Sequence, residues 1–465
     1  MQFDIDFLTH FVQFCVVKIP YFMQFVKKYV YLQSKLMRMD LLQILIDQKE
    51  ELKRMDTSLL CSRKEEAEVE LQSKLAQVVI GVRRSGKSTL CQKVLLESGV
   101  NFAYVNFDDE RLSRLSADSL DEVLQCLYRI NGDFSHLFLD EVQNVDRWPL
   151  FVNRLLRQGI KIILTGSNAN LLSGELATHL TGRYHQIELF PFSFSEYCSI
   201  TKTDMESAST KGRALRQHAL DIYLQQGGFP ELIEITSHND YATSLLNAIV
   251  NKDICRRYNV RYKDALWKMT NLVLDHFAQE VSSNEITTQL DLKSVHTAEN
   301  YLTYLINAYL LLPVYRYSYK SIERRSGRKF YAVDMLFVSH HAASLQTDNL
   351  GWRLENIVAI ELYRRMNRES DSLYYIRKNT SFEVDFVVTR RTHVEELIQV
   401  TYSFINPTAK QYNREIGGLL KGSELTYCDN LTLIVMEGET KTLNIEGKTI
   451  RQVLATDWLL NYSKQ

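Results

Sequence analysis

Gln77-Val-Val-Ile-Gly-Val-Arg-Arg-Ser-Gly-Lys-Ser-Thr89 is an apolar run that ends in Gly81, Gly86, Lys87 and Ser88 at the spacing of a phosphate-binding loop. Only glycine lets a backbone curl tightly enough to aim successive N–H groups at phosphate oxygens. The helix that follows adds its positive N-terminal end. The stretch therefore predicts a nucleotide site formed by Gly81, Arg84, Ser85, Gly86, Lys87, Ser88 and Thr89. Lys87 is expected on the β and γ phosphates and the Ser88 hydroxyl on Mg²⁺, so ATP and Mg²⁺ are the expected cofactors.

About fifty residues downstream, His136-Leu-Phe-Leu-Asp-Glu141 is a second apolar run that delivers two adjacent carboxylates. In a parallel sheet Asp140, at a strand's C-terminal end, can hold Mg²⁺, and Glu141 can polarise the attacking water. Adjacent acids alone are more often a solvated strand end; the loop upstream selects the functional reading. After the run Lys161-Ile-Ile-Leu-Thr165 come Gly166, Ser167 and Asn168, which place Asn168 or Ser167 where the γ phosphate can be sensed. Arg154 and Arg157, one helical turn apart, are candidate catalytic arginines, although each taken singly fits a surface or structural arginine better. Such groups can complete a neighbouring site, which makes a homo-oligomer one expectation.

From 77 to 190, short apolar runs alternate with helical patterns, which argues a parallel sheet flanked by helices. The whole chain of 465 residues, 45% hydrophobic, is long enough for two or three full cores. Its 55 Lys and Arg nearly cancel 56 Asp and Glu, so no global field steers it to nucleic acid or membrane. Seven cysteines without a Cys-x-x-Cys pair argue against a zinc cluster or a disulfide framework and for a reducing cytoplasm. The aromatic-rich residues 1–36 carry acids, lysines and Pro20, and read neither as a signal peptide nor as a membrane span. They remain open as a surface amphipathic helix, a buried extra helix, or sequence upstream of the true start; the last is favoured because a regular helical pattern opens at Met37.

Residues 210–262 read as a helical lid broken at Gly227-Gly-Phe-Pro230. Further on, 264–335 fits a helix-turn-helix followed by a strand wing. Arg316, Lys320, Arg324, Arg325, Arg328 and Lys329 gather around that wing with tyrosines between them. They fit either a hairpin contacting DNA phosphates or a solvated hairpin that holds helices together. From 351 the pattern becomes α/β again. Glu355, Asp385 and the strand Leu397-Ile-Gln-Val-Thr401 have the layout of PD-(D/E)xK metal-dependent nucleases. Gln399 and Thr401 stand where that pattern needs an acid and a lysine, so the metal site is incomplete unless Glu395, Glu396 or Lys378 substitutes.

The loop Gly-Val-Arg-Arg-Ser-Gly-Lys-Ser-Thr-Leu, the block Leu-Asp-Glu-Val-Gln-Asn-Val ending at Trp148, and Leu-Thr-Gly-Ser-Asn-Ala resemble a bacterial and archaeal family of AAA-type ATPases. So do Phe190-Pro-Phe-Ser-Phe-Ser-Glu-Tyr197, Gly227-Gly-Phe-Pro-Glu231, Leu354-Glu-Asn-Ile and Glu383-Val-Asp-Phe; the likeness covers about residues 37–435. It implies an α/β fold: a P-loop NTPase parallel sheet with a helical lid, a winged-helix domain, and a smaller restriction-endonuclease-like α/β domain. The expected divisions are an extension 1–36, a core 37–205, a lid 206–262, a winged helix 263–345 and a nuclease-like domain 346–465. The resemblance supports Lys87 and Ser88 at the phosphates, Asp140 and Glu141 at metal and water, and Asn168 as sensor. The expected function is a nucleotide-driven switch, with DNA as a partner; an ATP-gated nuclease and a nucleotide-regulated scaffold are the alternatives.

Overall fold

The computed structural model describes residues 40–168, 180, 182–318, 327–341, 349–378 and 382–461. The extension 1–36 and the wing residues Lys320, Arg324 and Arg325 lie outside the described residues.

Five strands, β1 (Ala76–Ile80), β2 (Phe102–Asn106), β3 (His136–Asp140), β4 (Lys161–Gly166) and β5 (Tyr184–Glu188), form a wholly parallel sheet in the order β2-β3-β4-β1-β5. Every residue of β1 and β3 is buried, as continuous apolar runs must be when helices cover both faces. Helix α1 (residues 40–53) packs Leu41 and Leu45 into the core. Its Gln48 pairs with both backbone groups of Asn106, at 3.0 and 3.1 Å, satisfying part of the β2 edge. Helices α2 (Lys87–Ser98), α3 (Leu120–Asn131) and α4 (Trp148–Arg157) are the crossovers. Consequently all strand C-terminal tips, and with them the loop after β1, lie at one end of the sheet.

The stretch Phe190-Pro-Phe-Ser-Phe-Ser-Glu-Tyr197 starts α5 (Phe194–Ile200) with a capping box between Ser193 and Glu196. Helices α6 (Thr210–Gln226) and α7 (His238–Ala248), a π-helical segment (Ile249–Arg256) and α8 (Lys263–Asp275) follow. At the break between α6 and α7, the Gly228 amide donates to the buried Asp334 at 2.8 Å, docking the lid onto the next part of the chain.

That part begins with β6 (Glu280–Val281), α9 (Ser283–Gln289) and α10 (Val295–Asn307), each helix capped by a serine, Ser282 or Ser294. The hairpin β7 (Leu311–Arg316) and β8 (Arg328–Ala332) and the short α11 (Met335–Ser339) complete it. The C-terminal segment contains α12 (Leu350–Arg365), β9 (Asp371–Lys378), β10 (Phe382–Arg390), β11 (His393–Ser403), α13 (Ala409–Thr426), β12 (Leu431–Glu437), β13 (Lys441–Ile445), β14 (Lys448–Leu454) and α14 (Ala455–Asn461).

The division expected at 345/346 does not separate two sheets. β7 pairs in parallel with β9 through Tyr315 with Tyr374 and Arg316 with Tyr375, and the Tyr317 amide donates to Tyr375 at 2.7 Å. One nine-stranded sheet therefore runs β13-β14-β12-β11-β10-β9-β7-β8-β6. A single buried cluster extends from Leu41 through the lid to Leu459. The reason is long-range: a strand edge left open by a two-stranded wing is closed by whichever extended segment reaches it, and periodicity does not reveal which one that is.

Candidate nucleotide site

The loop leaves β1 at Gly81, whose φ is +152° and whose missing Cβ would stand 2.0 Å from the Leu189 carbonyl oxygen. Glycine is required there by contact as well as by conformation. Arg84, at φ +68°, forms the exposed apex, and Gly86, at φ +94°, leads into α2 with no side chain capping it. The amides of the first turn are thus directed outward without a side-chain partner. Lys87 is buried, donates to the Val82 carbonyl at 3.0 Å and lies 3.9 Å from Glu141. The Ser85 hydroxyl is buried with no hydrogen-bond partner among the described residues. Thr89 follows half-buried on α2.

Opposite the loop, Asp140 ends β3. Ser88 Oγ donates to Asp140 Oδ1 at 2.7 Å, and Thr165 Oγ1, at the tip of the intervening strand β4, donates to the same oxygen. Thr165 also accepts from the Glu141 amide at 2.9 Å. This fixes Glu141 at φ +51°, a left-handed conformation that costs a residue with a Cβ about 1–2 kcal/mol. Gln143 Nε2 donates to the Glu141 carboxylate. Burial, and then the Glu141 charge, push the Asp140 carboxyl up to about 6, against the lowering effect of Thr165, Ser88 and Lys87. A buried hydroxyl–carboxylate pair facing an ammonium and a row of N–H donors suits a divalent cation on one side and phosphate oxygens on the other. The residues fit Mg²⁺ and a triphosphate.

Two lid contacts bracket the loop. Arg83 Nε is 3.1 Å from Asp253, on the π-helical segment, and its Nη1 is 3.3 Å from Asp108. Arg84 meets Glu231 at 2.6 Å. Burial disfavours the Arg83 charge, but Asp253 beside it raises the group above the ordinary arginine range. Ser167 Oγ donates to Asp253 at 3.3 Å, and the buried Asn168 donates to the Tyr258 hydroxyl at 3.4 Å. Tyr258 in turn accepts from Asn307 of α10 at 3.3 Å and stacks on Tyr304 with ring centroids 4.0 Å apart. Both Ser167 and Asn168 therefore face the lid. Arg63, which carries no sequence signal, is buried behind the loop. It donates to the Ser85 and Phe190 carbonyls at 3.3 and 2.7 Å and pairs with Glu196 at 2.6 Å.

Arg154 and Arg157 are not at this site. They occupy the last turn of α4, which leads into the N-terminal end of β4, the end of the sheet opposite the loop. Arg154 pairs with Asp121 of α3, and Arg157 is exposed. A cavity of about 450 Å³ lined by Asn101, Asp133, Ser135 and Gln158 lies at that same far end and is no part of the nucleotide site.

The wing residues also need correction as a phosphate-contacting set. Lys329 is buried among Glu355, Glu383 and Asp385, and points into the molecule. Arg316 is paired with Glu280, and Arg328 with Glu299 at 2.7 Å. β8 is buried from Lys329 to Ala332, and the acids that receive Lys329 come from α12 and β10, far along the sequence. Of the proposed substitutes in the nuclease-like pattern, Glu395 is exposed, Glu396 is engaged by Thr432 and Arg451, and Lys378 ends β9.

A phosphate-binding loop at the tip of a central parallel strand, with an acid pair two strands away and a polar residue on the strand between, defines an AAA-type P-loop ATPase. An AAA domain model matches residues 73–198, and a model for a domain of unknown function matches residues 217–348, across the lid, the helix pair and the hairpin. The chain is 33% identical over 409 residues to an uncharacterized protein of Methanocaldococcus jannaschii, covering 85% of this chain and 90% of that protein. It is 30% identical over 400 residues to an uncharacterized protein of Haemophilus influenzae, covering 83% and 94%. The chain belongs to this family of AAA-domain proteins. Among solved structures, the Walker-type ATPase of Pyrococcus abyssi is similar over 60% of this chain and 95% of that one, with 17% identity and a TM-score of 0.40. No described helix is long and apolar enough to cross a membrane.

Proposed function

We propose that the chain binds Mg²⁺-ATP at this site, hydrolyses it, and uses the cycle as a conformational switch. The observation that carries the reading is the convergence of Ser88, Asp140, Thr165, Glu141 and Lys87 within hydrogen-bond or ion-pair reach of one another beside a capless helix N-terminus. Ser88 and Asp140 would hold Mg²⁺, which neutralises phosphate charge when bound. Lys87, now spread between the Val82 carbonyl and Glu141, has its ammonium free to move to the β and γ phosphates. That transfer releases Glu141, whose carboxylate, steered by Gln143, then orients water in line with the γ phosphorus.

The switch reading rests on the lid contacts. Arg83 belongs to the loop yet pairs with Asp253 of the lid, and Asn168 reaches α10 through Tyr258. A γ phosphate competes with Asp253 for Arg83 and with Tyr258 for Asn168, so it binds one arrangement of the lid more tightly than the other. DNA as the partner on α10 and the wing is supported by Lys320, Arg324 and Arg325 in the sequence alone. Arg316, Arg328 and Lys329 are already engaged within the protein.

The test is ATP turnover, with and without duplex DNA, for wild type, Lys87→Ala and Glu141→Gln. Lys87→Ala should lose nucleotide binding, and Glu141→Gln should bind ATP but retain it unhydrolysed. Unchanged turnover in both variants would refute the site. Turnover and gel mobility indifferent to DNA at low salt would remove DNA from the proposal.

A further inference from the structure

Glu355 of α12, Glu383 and Asp385 of β10, and Gln399 of β11 converge where a nuclease of the pattern in this sequence would hold its metal. In this chain that place is filled. The Lys329 ammonium, 4% exposed, lies 2.7 Å from Glu383, 2.9 Å from Glu355 and 3.8 Å from Asp385. The carboxylates are committed elsewhere as well: Tyr331 donates to Glu355 at 2.7 Å, and the Val400 amide to Asp385 at 2.9 Å. Among the described residues, no group of three or more His, Cys, Asp or Glu side chains is arranged to hold a metal ion.

We infer that Lys329 is the resident cation of this cluster, that no divalent metal enters it, and that the cluster serves as an ionic joint fastening the β7–β8 hairpin to the C-terminal sheet rather than as a nuclease centre. Three observations carry this. First, the lysine comes from β8 of the hairpin and its acid partners from α12 and β10, so the ion pairs span the junction that the β7–β9 pairing forms. Second, the ammonium is enclosed. Burial works against its charge, yet the three acids raise its proton affinity well above the ordinary lysine range, so it is not shed near neutrality to make room for a metal. Third, the carboxylates are already engaged without a metal. Burial, and then Glu355, push Asp385 well above the usual carboxylate range, and Lys329 holds Glu383 below it. Three carboxylates already share the one ammonium, and Glu355 and Asp385 accept further from Tyr331 and the Val400 amide, so few oxygens are left to replace the water a dication would lose on entering. Loss of the ordinary motif lysine and acid at Thr401 and Gln399 agrees with a site no longer organised for hydrolysis. The inference is independent of the ATPase reading.

The experiment follows Mn²⁺ binding to the full chain without nucleotide, by the electron paramagnetic resonance signal of the free ion. Asp140→Asn is used throughout to silence the phosphate-loop site. Up to millimolar Mn²⁺, the otherwise wild-type protein should show no site that Asp385→Asn removes. Lys329→Met should gain one Mn²⁺ per chain, half-filled at least tenfold below the millimolar limit and abolished by adding Asp385→Asn. A Mn²⁺ site with Lys329 in place, weakened tenfold or more by Asp385→Asn, overturns the inference, as does Asp385-dependent nicking of plasmid DNA in Mn²⁺. A folded Lys329→Met protein that binds no Mn²⁺ overturns it too, since the cluster would then not be a cation site at all. Should Lys329→Met fail to fold, the comparison of wild type with Asp385→Asn decides alone.

Discussion

Asp140 is a residue at which the function costs the fold, and Asp140→Asn should make the nucleotide-free protein more stable. In the folded chain its carboxyl is pushed up to about 6 from the ordinary 3.8, chiefly by burial and by Glu141. A raised acid pKa means that the folded state holds the proton more tightly than the unfolded state does. Stability from this group is therefore greatest at low pH, falls as pH rises between 3.8 and about 6, and is flat above. At about 1.4 kcal/mol per unit, the ionised form costs the fold about 3 kcal/mol at pH 8 and roughly half that at pH 5. Asparagine keeps the geometry: its carbonyl can accept from Ser88 and Thr165 as the carboxylate does. Urea unfolding of both proteins at pH 8 and pH 5 should give a gain for Asp140→Asn of up to about 3 kcal/mol at the higher pH, shrinking at the lower. Saturating Mg²⁺-ATP should reverse the order, because the bound cation compensates the wild-type charge and favours only the protein that holds it. A variant less stable than wild type at pH 8, or a gain equal at both pH values, would refute the electrostatic account of the site.

Gly81→Ala places a Cβ 2.0 Å from the Leu189 carbonyl oxygen at a φ of +152°, so the urea midpoint should fall by the equivalent of about 3 kcal/mol; an unchanged midpoint would contradict the close approach of loop and β5 end. Tyr258→Phe keeps the stack on Tyr304 but removes the hydroxyl shared by Asn168 and Asn307. ATP affinity by calorimetry should hold within about twofold while turnover drops about three- to tenfold, the factor set by one neutral hydrogen bond; unchanged turnover would take Tyr258 out of the switch. Arg154→Glu breaks an exposed pair with Asp121 and a cation–π contact with the Phe151 ring, and should cost about 1 kcal/mol or less, with turnover within about twofold of wild type. A tenfold loss of turnover there would mean that the far end of the sheet completes the site of another copy.

The phosphate loop, the acid pair and the parallel sheet were legible in the sequence because each is local. Gly81 to Thr89 and Asp140-Glu141 carry their chemistry within a few residues, and the strands of the sheet are continuous apolar runs. Thr165, two residues before Ser167, carries no such local signal: that β4 lies between β1 and β3, and so brings Thr165 onto Asp140, is a property of strand order. Arg83 and Asp253 are 170 residues apart and gain meaning only when the lid folds back over the loop. Lys329 misled for a related reason. In a basic hairpin every cation looks solvated, and the acids that claim this one lie on α12 and β10. Arg63 had no pattern at all; its role is set by two backbone carbonyls and Glu196.

The shared strand edge between β7 and β9 has a practical corollary for anyone dissecting this protein. Severing the chain near residue 345 would not liberate two self-sufficient halves. Each fragment would carry a raw, unzipped margin of amides and carbonyls, together with half of a torn ionic knot: an orphaned ammonium on one side, uncompensated acids on the other. Such pieces would precipitate or re-anneal when mixed. Any rearrangement driven from the loop must therefore carry the hairpin and the C-terminal sheet together, as one rigid paddle.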